Sequence, residues 1–125
     1  MRFGVAVLGL AAICGACASG GKPATQANAE MREGVRAAGR GYWQEALFRF
    51  QRARSLTPGS GEVLNNLGVA LEALGRYDEA LATYKQALQE TPKDSVIRKN
   101  YARFAEFYTA YAKGVKPKGG PNALR

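Results

Sequence analysis

Covalent or metal chemistry would need imidazoles, thiolates or activated hydroxyls, and the body of this chain offers almost none of them. The 125 residues contain no histidine, and the only cysteines, Cys14 and Cys17, stand within the first seventeen residues. Beyond that point there is neither an imidazole to serve as general base nor a thiolate to attack a carbonyl or ligate a soft metal. Serine hydroxyls need an adjacent base to act as nucleophiles. Ser55, Ser60 and Ser95 fall at expected helix ends, where serine caps or turns the backbone. The carboxylates Glu62, Asp78 and Glu79 open expected helices, where the helix dipole favours negative charge. Gly39 and Gly41 resemble a phosphate loop only in composition, because no strand precedes them and no Gly-Lys-Ser follows. The residue types therefore imply a non-enzyme, with no catalytic residue, no metal site and no cofactor, and direct attention to binding surfaces.

The elements that would present such surfaces follow from a repeat. Shifting the chain by 34 residues aligns 27–60 with 61–94 and makes nine positions identical: Gly34/Gly68, Val35/Val69, Gly41/Gly75, Glu45/Glu79, Ala46/Ala80, Leu47/Leu81, Ala53/Ala87, Thr57/Thr91 and Pro58/Pro92. Trp43 pairs with Tyr77, and Phe50 with Tyr84. In the second copy Leu64, Leu67, Leu71 and Leu74 recur at the three-and-four spacing of one helical face. Gly75 ends that helix, Asp78 is placed to cap the next, and Pro92 closes the unit. Gly68 and Ala80 lack bulk and allow the two helices to approach, with Tyr84 expected to fill the wider space toward a neighbouring unit. A third copy starts in register at Ser95 but has Thr109 where the turn glycine belongs. One long helix from Asp94 to Lys113 is therefore expected.

Leu64, Leu67, Gly68, Leu71, Ala80, Tyr84, Ala87 and Pro92 resemble the tetratricopeptide-repeat consensus, whose period is 34 residues. The resemblance covers about residues 27–112. It implies an all-α fold in which two helix-turn-helix units, 27–60 and 61–94, and a capping helix, 95–113, form a short right-handed solenoid. Glu30 and Glu33, where apolar residues are usual, suit a solvated N-terminal cap, since an end unit has no outer neighbour. In this family the concave face of the first helices holds partner segments, which places Met31, Arg32, Val35, Asn65, Asn66, Val69, Glu72, Lys99, Asn100 and Arg103 at the partner-binding groove. Only Asn66 matches the five-residue clamp by which one subset grips a C-terminal carboxylate. Asn65 and Asn66 have an equally good reading as bonds between neighbouring helices. On the last helix Tyr101, Phe104, Tyr108 and Tyr111 form a stripe suited to packing on the second unit, with Phe107 off it. Any part of Phe104, Phe107, Tyr108 and Tyr111 left exposed would make an aromatic patch for a partner.

The two ends read as accessories. Arg2 precedes an uncharged run to Gly21 with an apolar centre and small residues after it, the order of an export signal, and too short in its apolar part to span a bilayer. Cys14-Gly15-Ala16-Cys17 resembles a bacterial lipoprotein signal, with Cys14 where leucine is usual and Cys17 as the lipidated residue. Cleavage after Ala18 is the alternative. Residues 1–21 are thus expected as a signal peptide, 22–26 as a flexible tether and 114–125 as a disordered basic tail.

Charge restricts the partners. The net charge is +8, but residues 27–60 carry six Arg against three Glu, 61–94 three cations against six anions, and 95–125 seven cations against one. An acidic middle interrupts the basic stripe that a nucleic-acid binder would present, so no nucleic acid is expected. The expected function is a protein–protein interaction scaffold or assembly factor of the bacterial envelope, exported and lipid-anchored on the periplasmic side of the outer membrane, similar to small envelope repeat lipoproteins. A different class of function, attachment to lipid headgroups or cell-wall polymer through the basic ends, would depend strongly on salt.

Overall fold

The computed structural model describes residues 22–115 as five α-helices: α1, Pro23–Gly39; α2, Trp43–Leu56; α3, Gly61–Ala73; α4, Tyr77–Glu90; and α5, Ser95–Ala112. There is no strand among the described residues. α1 packs on α2 and α3 on α4 as hairpins, α2 packs on α3, and α5 closes the stack against α4. The segment expected as a tether is helical from its second residue. Pro23 starts α1, its ring fixing a helical φ at a position where no amide hydrogen is needed.

Each hairpin turns through a glycine. Gly41 and Gly75 have φ of 78° and 73°, a left-handed conformation that costs a residue with a Cβ. They allow Tyr42 N–H to donate to Ala37 O and Arg76 N–H to Leu71 O, both at 2.9 Å, closing each first helix. The units are joined by a second repeated device. Thr57 and Thr91 donate their hydroxyls to Ala53 and Ala87 carbonyls at 3.0 Å, a proline follows each, and a side chain caps the next helix. Ser60 Oγ accepts from Val63 N–H at 3.3 Å; Asp94 Oδ1 accepts from Val96 and Ile97 N–H at 2.8 and 3.0 Å. Asp78 does not cap α4. That place falls to Arg76, and Asp78, the second residue of α4, accepts a hydrogen bond from Tyr108.

The core is alanine-lined, with Ala46, Ala53, Ala70, Ala80 and Ala87 all at 0 % exposure around Leu47, Phe50, Leu67, Leu71, Tyr84 and Phe104. Within each hairpin an aromatic ring from the second helix lies on a glycine of the first: Phe50 on Gly34 and Tyr84 on Gly68, where an added Cβ would sit 2.9 Å from the Tyr84 ring. Tyr84 therefore fills its own unit as well as reaching Phe104 of α5, 5.3 Å between ring centres. Glu30 also departs from expectation. It faces α2, 13 % exposed, with Arg49 Nη1 at 3.2 Å and Arg52 Nε at 2.8 Å, while Glu33 stays on the solvated outside and pairs with Arg36.

Candidate functional site

The 34-residue period brings corresponding residues of α1, α3 and α5 into rows: Met31, Asn65, Lys99; Arg32, Asn66, Asn100; Val35, Val69, Arg103. α3 touches both α1 and α5, so the rows lie side by side. The structure divides these groove candidates, together with Glu72, into a floor and a surface.

The floor is polar and closed. Asn100 Nδ2 donates to Asn65 Oδ1 at 3.0 Å across α5 and α3. Arg103 grips Glu72 with two bonds, Nη1 to Oε1 and Nη2 to Oε2, each 2.8 Å. Tyr84 OH donates to Glu72 Oε2 at 2.9 Å. Glu72 is 2 % exposed, so the carboxylate expected in an open groove is a buried anchor. Bidentate pairing with a guanidinium is what makes such burial tolerable. The Glu72 carboxylate raises the Arg103 guanidinium further above its usual value, and burial, then the charge of Glu72, pushes the Tyr84 phenol up. Among the described residues Arg103 Nε is a buried donor without a partner. Met31 is a further correction: it is 8 % exposed and belongs to the main hydrophobic core.

The surface that remains consists of Arg32, exposed; Val35, 54 % exposed; Asn66 and Val69, half-buried; and Lys99, exposed. Sequence reasoning missed three neighbours. Asn28, Ser60 and Glu62 line a cleft with Arg32 between the N-terminal half of α1 and the start of α3. Asn28 and Glu62 are related by the same 34-residue shift, and that was the available signal.

The aromatic group on α5 is mainly packing. Phe104 is fully buried; Phe107 and Tyr111 meet the Tyr77 ring edge-on at 5.1 and 4.9 Å, so Phe107 belongs to the contact with α4 that it was expected to miss. The Tyr108 hydroxyl is held by Asp78, which raises its phenol above the ordinary range. Of the expected patch only Tyr111, 52 % exposed, faces solvent broadly. Among the described residues no group of three or more His, Cys, Asp or Glu is arranged to hold a metal, and no helix is long and apolar enough to cross a membrane.

Glycine-seated aromatics in successive hairpins, in register with the 34-residue period, agree with a tetratricopeptide-repeat family model that matches residues 25–95. The chain belongs to the tetratricopeptide-repeat family. Two similar curated proteins carry the name Photosystem I assembly protein Ycf3: that of Synechococcus sp. (strain WH7803) is 35 % identical over 80 residues, covering 62 % of this chain and 46 % of the relative. The one from Prochlorococcus marinus (strain SARG) is 35 % identical over 78 residues, covering 60 % and 45 %. This repeat protein thus spans just under half the length of these relatives.

These relatives overturn the expected location. They are named for photosystem I assembly in cyanobacteria, and neither is named an exported envelope lipoprotein, so placement on the periplasmic side of an outer membrane is not upheld. The expectation rested on the order of one charge, a short apolar run and small residues, a compositional pattern with little specificity. Residues 1–21, with Cys14 and the expected lipidation residue Cys17, lie outside the described residues, as does the tail from 116.

Proposed function

We propose that this repeat protein is a non-catalytic assembly factor that holds a segment of a partner protein along the inner face of α1, α3 and α5. The observation that carries this reading is the division of that face. Asn65 with Asn100 and Glu72 with Arg103 join α3 to α5, while Arg32, Val35, Asn66, Val69 and Lys99 present cations, an amide and apolar groups on the floor so formed. A preorganised face orders few groups on binding, which leaves more of the contact energy for affinity. Family membership supports a protein partner, and the assembly role named for the relatives supports the class of task.

The test is a photo-crosslinking residue placed in the cell at Val35 or Asn66, with Phe48 on α2, 49 % exposed and away from the inner face, as the control. Val35 and Asn66 are expected to attach to one common protein, and Arg32→Glu with Lys99→Glu to abolish the attachment while the helical circular dichroism stays unchanged. Equal attachment from Phe48, or attachment that survives the charge reversal but is lost on truncation after Ala112, would sink the groove reading.

A further inference from the structure

α5 occupies the place of a first helix, and no second helix follows it onto its outer face among the described residues. The repeat shows what that face is shaped for. The 34-residue shift carries Gly34 and Gly68 onto Ala102, Glu30 and Leu64 onto Arg98, and Gly61 onto Ser95. In the complete units these positions are covered by the second helix: Phe50 and Tyr84 rings on the glycines, Ala87 beside Leu64, and Thr91 against Gly61. Around α5 the corresponding residues Ser95, Arg98 and Ala102, with Leu88, Pro92, Lys99 and Tyr101, border an open cleft of about 710 Å³. Because α5 runs straight through Thr109, where the turn glycine of the other units stands, the backbone does not fold back there to fill it.

Charge identifies the occupant. In the first unit the ionic residue at this register, Glu30, is answered by Arg49 and Arg52, which flank the seated ring of Phe50 at one residue before and two after. In the third register position the ionic residue is Arg98, exposed and without a salt bridge among the described residues. The same geometry with inverted charge requires a helix that brings carboxylates beside its aromatic. The rings that seat this way within the chain, Phe50 and Tyr84, are 2 % and 0 % exposed and are flanked by Arg49 and Arg52, or Thr83 and Gln86. The aromatics that do have a carboxylate at these offsets, Trp43 with Glu45, Tyr77 with Glu79, and Phe104 and Phe107 with Glu106, pack into or against the core of their own chain, so a second copy does not offer such a helix freely.

We propose that this end of the stack docks an amphipathic helix of a partner protein, seating an aromatic side chain on Ala102 and a carboxylate, one residue before or two after that aromatic, against Arg98. The site adjoins the inner face at Lys99, but its seat, Ala102 with Arg98, stands whether or not that face binds a segment. Helix-in-groove recognition of this kind anchors on a few residues spaced along one helical face. The extra methyl of Ala102, compared with Gly34 and Gly68, raises the floor of the seat and suits a contact that forms reversibly.

The probe is a synthetic peptide of residues 77–91 of this chain carrying Thr83→Glu and Gln86→Glu, titrated into the full chain by fluorescence polarisation. Saturable binding is expected, weakened roughly tenfold or more when the peptide also carries Tyr84→Ala. Arg98→Glu in the protein should reverse the preference, rejecting the acidic peptide and accepting a version with Thr83→Lys and Gln86→Lys. Ala102→Leu, at an exposed position, should block the seat without lowering the melting temperature, and Arg32→Glu, on α1 and outside the cleft, should leave peptide binding unchanged. Absence of saturation up to about 1 mM, a free energy of only about 4 kcal/mol, or indifference to the charge swap or to Ala102→Leu, would overturn the proposal.

Discussion

Replacing Arg103 by methionine removes the guanidinium from Glu72 while keeping most of the apolar stem, and the cost follows from the geometry. Glu72 is 2 % exposed and is held by two 2.8 Å bonds from Arg103 and one 2.9 Å bond from Tyr84. Removing one partner of a buried pair costs about 3–5 kcal/mol, because the other charge is left without compensation. Here the Arg103 side chain is 27 % exposed, so water weakens the pair, and the Tyr84 hydroxyl still serves the carboxylate. The loss should therefore be about 2–3 kcal/mol. At about 4–8 °C per kcal/mol for a domain of this size, the melting temperature should fall by roughly 10–20 °C. Urea unfolding followed by circular dichroism, on Arg103→Met, Glu72→Gln and the double variant, gives the test. The double variant should lose less than the sum of the singles by about 1 kcal/mol or more, since both changes remove one interaction. If Arg103→Met costs less than about 0.5 kcal/mol, or the two losses simply add, the pair is not what fixes α5 to α3 and the account of the floor is wrong.

Three further outcomes follow from separate contacts. Gly34→Ala drives a Cβ into the Phe50 ring, so despite the gain of about 1 kcal/mol in helix propensity it should destabilise by about 1–2 kcal/mol net, with Phe50→Leu restoring part of the loss in thermal melts. Asp94→Ala leaves the amides of Val96 and Ile97 without their acceptor and should cost about 1 kcal/mol, read as faster amide exchange confined to the first turn of α5. Burial raises the Tyr84 phenol above its ordinary 10.0, so its contribution is complete below about pH 10 and is lost as pH rises, when only the unfolded chain ionises. Tyr84→Phe should be less stable than the parent at neutral pH by about 1–2 kcal/mol for the lost hydrogen bond, and urea titrations should show that gap closing by about 1.4 kcal/mol per unit above pH 10.

The parts of the fold legible in the sequence were those fixed by local chemistry repeated at one period. Gly75 and Pro92 mark backbone conformations that few other residues allow, and their partners Gly41 and Pro58 confirm the spacing; Thr109 in place of the third glycine correctly gave one continuous helix at 95–112. The site was less legible because its contacts join different positions of successive units. Glu72 and Arg103 are 31 residues apart, three short of the period, so aligning by 34 sets Glu72 opposite Glu106 and hides the pair. Asp78 and Tyr108, 30 apart, are hidden in the same way. Met31 was expected at the groove because the family's repeat register places it there, yet its flexible thioether joins the buried core. The start of α1 was missed because small polar residues around Pro23 read equally well as linker.

Departures from the repeat also explain how the last described helix is held to the stack. A complete neighbouring hairpin on each side would bury the inner edge of a first helix with apolar contacts, but among the described residues α3 has one complete hairpin before it and one helix after it. Along that second junction the chain places Asn65 with Asn100 and Glu72 with Arg103, directional contacts that fix the angle of α5 as well as its distance, while Phe104 supplies the apolar part against Tyr84. Directionality matters for what α5 presents. Lys99, which borders both the inner face and the outer cleft, shares one helix with Arg98 and Ala102 in that cleft, so a rotation of α5 that improved one surface would misplace the other. A polar lock that tolerates no rotation is therefore the feature that would allow one short helix to serve two surfaces, and Arg103→Met should weaken binding at both even at temperatures where the variant remains folded.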